Sequence, residues 1–215
     1  MRLTYLGYTF SLILMYFSLV LLFPAAVAIY YHETGAILPF LSTALASILI
    51  SLTVKKGIKG VSQIKSINDI RKSEGLCVVT LSWIFACIFA SIPYLFFGLA
   101  PVNALFEAVS GITTTGATTL THFDYPHAMF FWRSFTQWLG GMGIIVLFIA
   151  ILPQFAIAGR QLFFAEAPGP TEEKFTPRIK STAAALWRVY AGLTIIEFII
   201  LHRVVRRAHR PARGS

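Results

Sequence analysis

Charge is scarce in this sequence. Of 215 residues only 13% are Asp, Glu, Lys or Arg, and the acids number nine, whereas an ordinary soluble domain carries about a quarter charged residues. That shortage excludes a soluble globular core as the frame and implies an integral membrane protein. Cysteine is nearly absent as well. Cys77 and Cys87 fall in one predicted helix, ten residues apart. That is about 15 Å of rise, too far for a disulfide, so they read as small buried side chains. The five histidines, His32, His122, His127, His202 and His209, show no metal-ligand spacing, and no transition-metal site is expected. There is no nucleophile–base arrangement, no phosphate loop and no dinucleotide fingerprint. The apolar segments lack the inward Asp, His or Ser pairs that an intramembrane hydrolase needs. Neither catalytic residues nor a cofactor are therefore expected, and the chain does not read as an enzyme.

What is present is apolar: 56% hydrophobic residues, 19 of them Phe, and a mean hydropathy of +0.71. The expected fold is an all-α integral membrane protein in the lipid bilayer. Residues 6–31 are long enough to span with some tilt. Their end, "FPAAVA", has the small residues of a signal cleavage site, a competing reading, but a second apolar segment, 37–54, follows at once. Residues 1–54 are therefore expected to form an N-terminal transmembrane hairpin. The loop 55–75 holds Lys55, Lys56, Lys59, Lys65, Arg71 and Lys72. Between two spans this is a positive-inside signal and not a nucleic-acid surface, so the loop is expected to be cytoplasmic. A third span is expected at 76–99 and a fourth at 129–153. Trp132 and Trp138 of the fourth suit a membrane interface. Its Arg133 either snorkels there or faces an aqueous vestibule, and its glycines, Gly140, Gly141 and Gly143, allow close helix contact.

Residues 154–182, with "EAPGPTEEKFTPRIK", read as a cytoplasmic connection, and 183–201 as a fifth apolar segment. Glu197 lies deep in that segment and is a functional candidate by default. It sits nine residues from Arg188, opposite on the helix, so its partner is expected on a helix not included here. Alternation of sides then conflicts with charge. The fifth span should end outside, yet 202–215 is the densest Arg cluster in the chain. Either the last segment fails to cross or this atypical tail reflects a truncation or shifted reading frame, and the second is expected.

Between the third and fourth spans lies "FEAVSGITTTGATTLTHF". Residues 102–112 make a helix about 16 Å long, roughly half the hydrocarbon thickness. Ala104, Leu105, Ala108, Val109 and Ile112 form an apolar stripe on it. The Thr- and Gly-rich 113–119 then returns toward the same side. Irregular backbone at membrane depth survives only when buried in protein or lining water. Carbonyls and hydroxyls lining water can replace the hydration shell of an alkali cation, and Gly116 permits the backbone angles required. Glu107 either adds negative potential at the mouth or bonds backbone groups behind the return strand. The plainer reading, an extracellular Thr/Gly loop after an amphipathic helix, stays open on these grounds.

The combination of "LFEAVSGITTTGATTL" with "FWRSFTQWLGGMGIIVLFIAILP" resembles the first pore repeat of the Trk/Ktr/HKT superfamily of potassium transporters, nearest to the Trk membrane subunit. The preceding hairpin and "RKSEG" are similar to that family too, and the resemblance covers roughly residues 5–201. It implies four span–loop–span repeats around one pore. In this chain 76–153 would be the first repeat, and 183–201 the first helix of an incomplete second. The filter positions would be Thr114, Thr115, Gly116, Ala117 and Thr118, with potassium as the substrate ion. It also implies a bacterial inner-membrane location, a homodimer for the full-length relative, and a cytoplasmic nucleotide-binding regulatory subunit as partner. One loop cannot surround an ion, so either four copies assemble, which the extra hairpin and stray fifth helix make awkward, or the chain is a fragment of a longer protein, the expected case. The alternative is a non-conducting membrane interaction module in which 102–128 is only a structural loop.

Overall fold

In the computed structural model, residues 3–58, 72–143 and 176–208 are described. Lipid offers no hydrogen bonds to a backbone, so spanning segments must satisfy their own, and all regular structure among the described residues is helical. The helices are α1 (Leu3–Val20), α2 (Leu22–Tyr30), α3 (Thr34–Gly57), α4 (Lys72–Phe96), α5 (Pro101–Ile112), α6 (127–143) and α7 (Thr176–Ala208). Among the described residues four stretches are long and apolar enough to cross a membrane: Gly7–Tyr30, Thr34–Gly57, Val79–Phe96 and Ala184–Arg206; the expected span at 129–153 lies partly outside the described residues. The protein is a multi-pass membrane protein with an N-terminal two-helix hairpin.

The first span is not one continuous helix. It breaks at Leu21 into α1 and α2. The cause is Pro24, which has no N–H for the Val20 carbonyl and whose ring crowds that carbonyl. The turn to α3 is tight, with His32 at φ 57°. The hairpin then packs through small and hydroxylated residues, as helices in lipid do. Ser11 and Ser18 on α1, and Ala36, Thr43, Ala44, Ser47 and Ser51 on α3, are all buried. The Ser51 hydroxyl donates across the pair to the Ser11 carbonyl at 2.6 Å.

Residues 1–140 form one unit, and its core is aromatic and alanine-rich. Phe40, Tyr94 and Trp132 are fully buried beside Leu21, Ala28, Ala90, Ala104, Ala108 and Met129. Trp132 meets Phe17 and Phe40 edge-on, with centroids at 5.9 and 6.1 Å. Its indole N–H donates to the Ala90 carbonyl at 3.1 Å. That corrects the expectation of an interfacial Trp132: with its one polar atom satisfied inside, the ring has no need of a wet edge. Cys87 is buried on α4 and both cysteines are free.

Residues 141–215 form the second unit. In it α7 runs well past the expected 183–201 at both ends. Pro177 sits in the first turn, where its missing N–H costs nothing. Beyond Leu201 the segment "HRVVRRA" contains neither Gly nor Pro and is rich in good helix formers, so the helix continues to Ala208. Arg188 directs its Nε to the Ala184 carbonyl at 3.3 Å and not toward Glu197. The connection expected at 154–182 and the end of the basic tail fall largely outside the described residues.

Candidate functional site

The site is built on α5. Pro101 opens it at the first helical position, where a fixed φ is already helical. Its twelve residues rise about 18 Å, short of the ~30 Å hydrocarbon layer. Its buried face is Ala104, Glu107, Ala108, Gly111 and Ile112, while Val102, Leu105, Phe106 and Val109 are exposed. The expected apolar stripe is thus split between two faces. Where neighbouring helices press close, the buried side carries the small residues Ala104, Ala108 and Gly111. A Cβ built on Gly140 of α6 would overlap the Ile112 carbonyl. One built on Gly111 would strike the Thr136 hydroxyl at 2.5 Å. Gly140 is therefore a packing residue.

The C-terminus of α5 ends in a Schellman arrangement. The Thr115 N–H donates to the Ser110 carbonyl and the Thr114 N–H to the Gly111 carbonyl, both at 2.9 Å. The left-handed residue such a cap requires is normally Gly. Here it is Thr114, at φ 59°, a conformation in which a β-branched residue is a genuine outlier. Two residues on, Gly116 is also left-handed, at φ 75°. A Cβ there would meet only the Gln137 amide nitrogen, at 3.5 Å. Backbone angle, not space, demands glycine at 116. The Thr113 hydroxyl donates to the Val109 carbonyl at 2.7 Å, so in the 2.8 Å contact between hydroxyls 113 and 115 Thr115 is the donor.

From Ala117 onward the segment is tied back onto α5 and α6. The Ser110 hydroxyl donates to the Ala117 carbonyl at 2.6 Å. Glu107 is fully buried. Its Oε1 accepts from the Thr118 hydroxyl at 2.7 Å, the Thr119 N–H at 2.6 Å and the Thr119 hydroxyl at 3.2 Å. Its Oε2 accepts from Arg133 Nε at 3.0 Å. A buried carboxylate is tolerable when paired and hydrogen-bonded in this way, and a group that accepts from four donors is ionised. Arg133 completes the arrangement, with Nη2 at 3.1 Å from the Gly116 carbonyl and 3.4 Å from that of Ala117. Among the described residues the bonds that cap carbonyls of this segment fall on Gly116 and Ala117, none on Thr114 or Thr115.

Of the two positions open for Glu107, it takes the one behind the return strand. Arg133 turns toward Glu107 and the carbonyls of Gly116 and Ala117, with its side chain 24% exposed. The two were recognisable as opposite charges on neighbouring helices in a region otherwise nearly free of charge. Thr114, Thr115, Gly116, Ala117 and Thr118 lie together in the one segment that this network holds.

A second clamp has no sequence signal. Glu33, in the α2–α3 turn, caps the N-terminus of α6. It accepts from the His127 N–H at 2.7 Å, the Ala128 N–H at 3.1 Å and the His127 ring Nδ1 at 2.7 Å. That ring stacks on Tyr31 at 4.3 Å. Burial pushes the Glu33 carboxyl upward. The Ala128 and His127 N–H groups and the imidazole outweigh that push and hold it below its ordinary 4.5.

Comparison with known proteins gives one consistent result. A family model described as TrkH, cation transport protein, matches residues 73–212. The chain is 40% identical over 190 residues to the Trk system potassium uptake protein TrkH of Vibrio parahaemolyticus, covering 86% of the chain and 38% of that relative. It is 39% identical, with the same coverage, to the TrkH of Escherichia coli K12. The crystal structure of the potassium transporter TrkH from Vibrio parahaemolyticus matches with a TM-score of 0.72 and 32% identity, over 91% of this chain and 38% of that one. The chain therefore spans about two fifths of the length of the relatives it matches.

Proposed function

The chain belongs to the TrkH family of cation transport proteins, and from that premise we propose that it supplies one segment of a potassium-selective pore in a Trk-type uptake system. Potassium is the transported substrate, no cofactor is needed in this chain, and the protein acts as a transporter, not an enzyme. Thr114, Thr115, Gly116, Ala117 and Thr118 are the filter positions, on a loop that enters the membrane behind the half-length helix α5. The observation that carries this reading is the geometry at the end of α5. Two left-handed residues, Thr114 and Gly116, flank Thr115, and the strand is anchored from behind by a buried carboxylate. Such a segment is held in place by bonds within the protein, and backbone carbonyls so presented can replace an ion's hydration shell. The system would work in the bacterial inner membrane, as a homodimer of the longer protein, with a cytoplasmic nucleotide-binding subunit regulating flow.

The test is a chimera in which this chain replaces the matching part of the Vibrio parahaemolyticus relative. It is expressed in cells lacking potassium uptake, at limiting potassium. Rescue of growth by the chimera, lost on Gly116→Arg, supports the reading. Equal rescue by Gly116→Arg removes the filter assignment.

A further inference from the structure

Arg133 does more than neutralise Glu107. Its Nε takes one carboxylate oxygen at 3.0 Å while Nη2 of the same guanidinium donates to the Gly116 carbonyl at 3.1 Å. A planar fork fixes two partners at once, which a lysine ammonium cannot do with the same geometry. The carboxylate it grips is fully buried and is itself held by Thr118 and Thr119, so the fork is anchored at that end. The neighbouring Ala117 carbonyl is occupied as well, by the Ser110 hydroxyl at 2.6 Å. We infer that Arg133 is a positioning residue that withdraws the Gly116 carbonyl from the ion. This segment then presents the Thr114 and Thr115 carbonyls to the cation and keeps those of Gly116 and Ala117 for its own scaffold.

The inference rests on the filter reading and deepens it. An oxygen already polarised by a guanidinium is a poor ligand for a second cation, because the two positive charges repel at short range. The left-handed turn at Gly116 is what lets the chain change the side its carbonyls serve between Thr115 and Gly116. Glycine is thus required here for the direction of one oxygen, and the hydroxyls of Thr118 and Thr119 belong to the anchor behind the strand.

The experiment uses the chimera described above, in which the rest of the pore is present, in proteoliposomes, with 13C carbonyl and 15N amide labels chosen to single out positions 114, 115 and 116. Solid-state NMR shifts are recorded as potassium replaces sodium. The expected result is a potassium-dependent shift at Thr114 and Thr115 and none at Gly116. Arg133→Lys keeps a charge opposite Glu107, and with it the fold, but frees the Gly116 carbonyl, which should then gain a potassium response. Arg133→Gln should give the same gain. If Gly116 responds in the unaltered chimera as strongly as the threonines, the withdrawal of its carbonyl is refuted while the filter stands. If none of the three carbonyls responds, the filter reading fails and this inference fails with it. If Gly116 stays silent in both variants, Arg133 is not what positions it.

Discussion

Replacing Glu107 by Gln keeps the volume of the side chain and removes its charge. In the native protein Oε1 accepts three bonds and Oε2 accepts one from Arg133. Hydrogen bonds to a charged acceptor contribute about 1.5–3 kcal/mol and neutral ones about 0.5–1.5. Weakening the three that survive therefore costs a few kcal/mol in total. Arg133 Nε, now facing an NH2 group, loses its partner altogether. Breaking a buried pair from one side costs about 3–5 kcal/mol. The Arg133 side chain is 24% exposed, so its stranded charge still finds some water, and the lower end, about 3 kcal/mol, is expected. Arg133→Gln should cost more, because Glu107 is fully buried and has no water to turn to. The double variant strands neither charge, so it should cost less than the sum of the singles by about 1.5 kcal/mol or more, within the range of coupled neighbours. The assay is equilibrium unfolding of the purified chain in mixed micelles, followed by tryptophan fluorescence. Single losses below about 1 kcal/mol, or losses that add to within about 0.5 kcal/mol, would refute the claim that these residues act as one unit.

Thr114→Gly should stabilise the turn at the end of α5, because a left-handed non-glycine costs about 1–2 kcal/mol and glycine returns only about 0.5–1 of it in chain entropy. A small rise in unfolding free energy is expected, and a fall would mean that the Thr114 side chain makes up for its backbone. Gly140→Ala should lower stability by about 1–3 kcal/mol, as overpacking does, because the methyl would have to displace the Ile112 backbone and not a flexible side chain; an unchanged midpoint in the same unfolding assay would show that α5 and α6 separate freely. Glu33 gives a pH dependence. A carboxyl held below its ordinary 4.5 contributes stability that is present above that value and lost as the pH falls through and below it. Unfolding measured from pH 7 to pH 3 should therefore show a decline that Glu33→Gln lacks. Parallel curves for the two proteins would remove the cap as a source of stability.

Much of the fold was legible because lipid restricts the choices. Long apolar runs bounded by charge can only be helices, and the half-length of 102–112 already separates it from the spans on either side. The interior of the site was harder to read. Trp132 and Arg133 look interfacial in sequence because each has a polar end, and only packing shows that Ala90 and Glu107 satisfy those ends inside. The break at Leu21 follows from Pro24, but hydropathy runs straight through it and reads 6–31 as one span. The bond from Glu33 to His127 joins residues 94 apart, and no local pattern encodes such a distance. Thr114 is the reverse case: its sequence argues against the conformation it adopts, and the surrounding hydrogen bonds override it.

The cap on α6 also has a consequence for the order of assembly. Glu33 leaves the ribosome 94 residues before the amide it holds. At about 5–20 residues per second the carboxylate waits roughly 5–20 s for its partner. Throughout that interval α6 does not yet exist, and the acid at the tip of the hairpin lacks the amides it later holds. The hairpin must therefore be soluble in the bilayer by itself, which its internal Ser11–Ser51 bond and small-residue seam allow. The hairpin of α1, α2 and α3 is thus made first, and its Glu33 carboxylate is the group on which the N-terminus of the later α6 is seated.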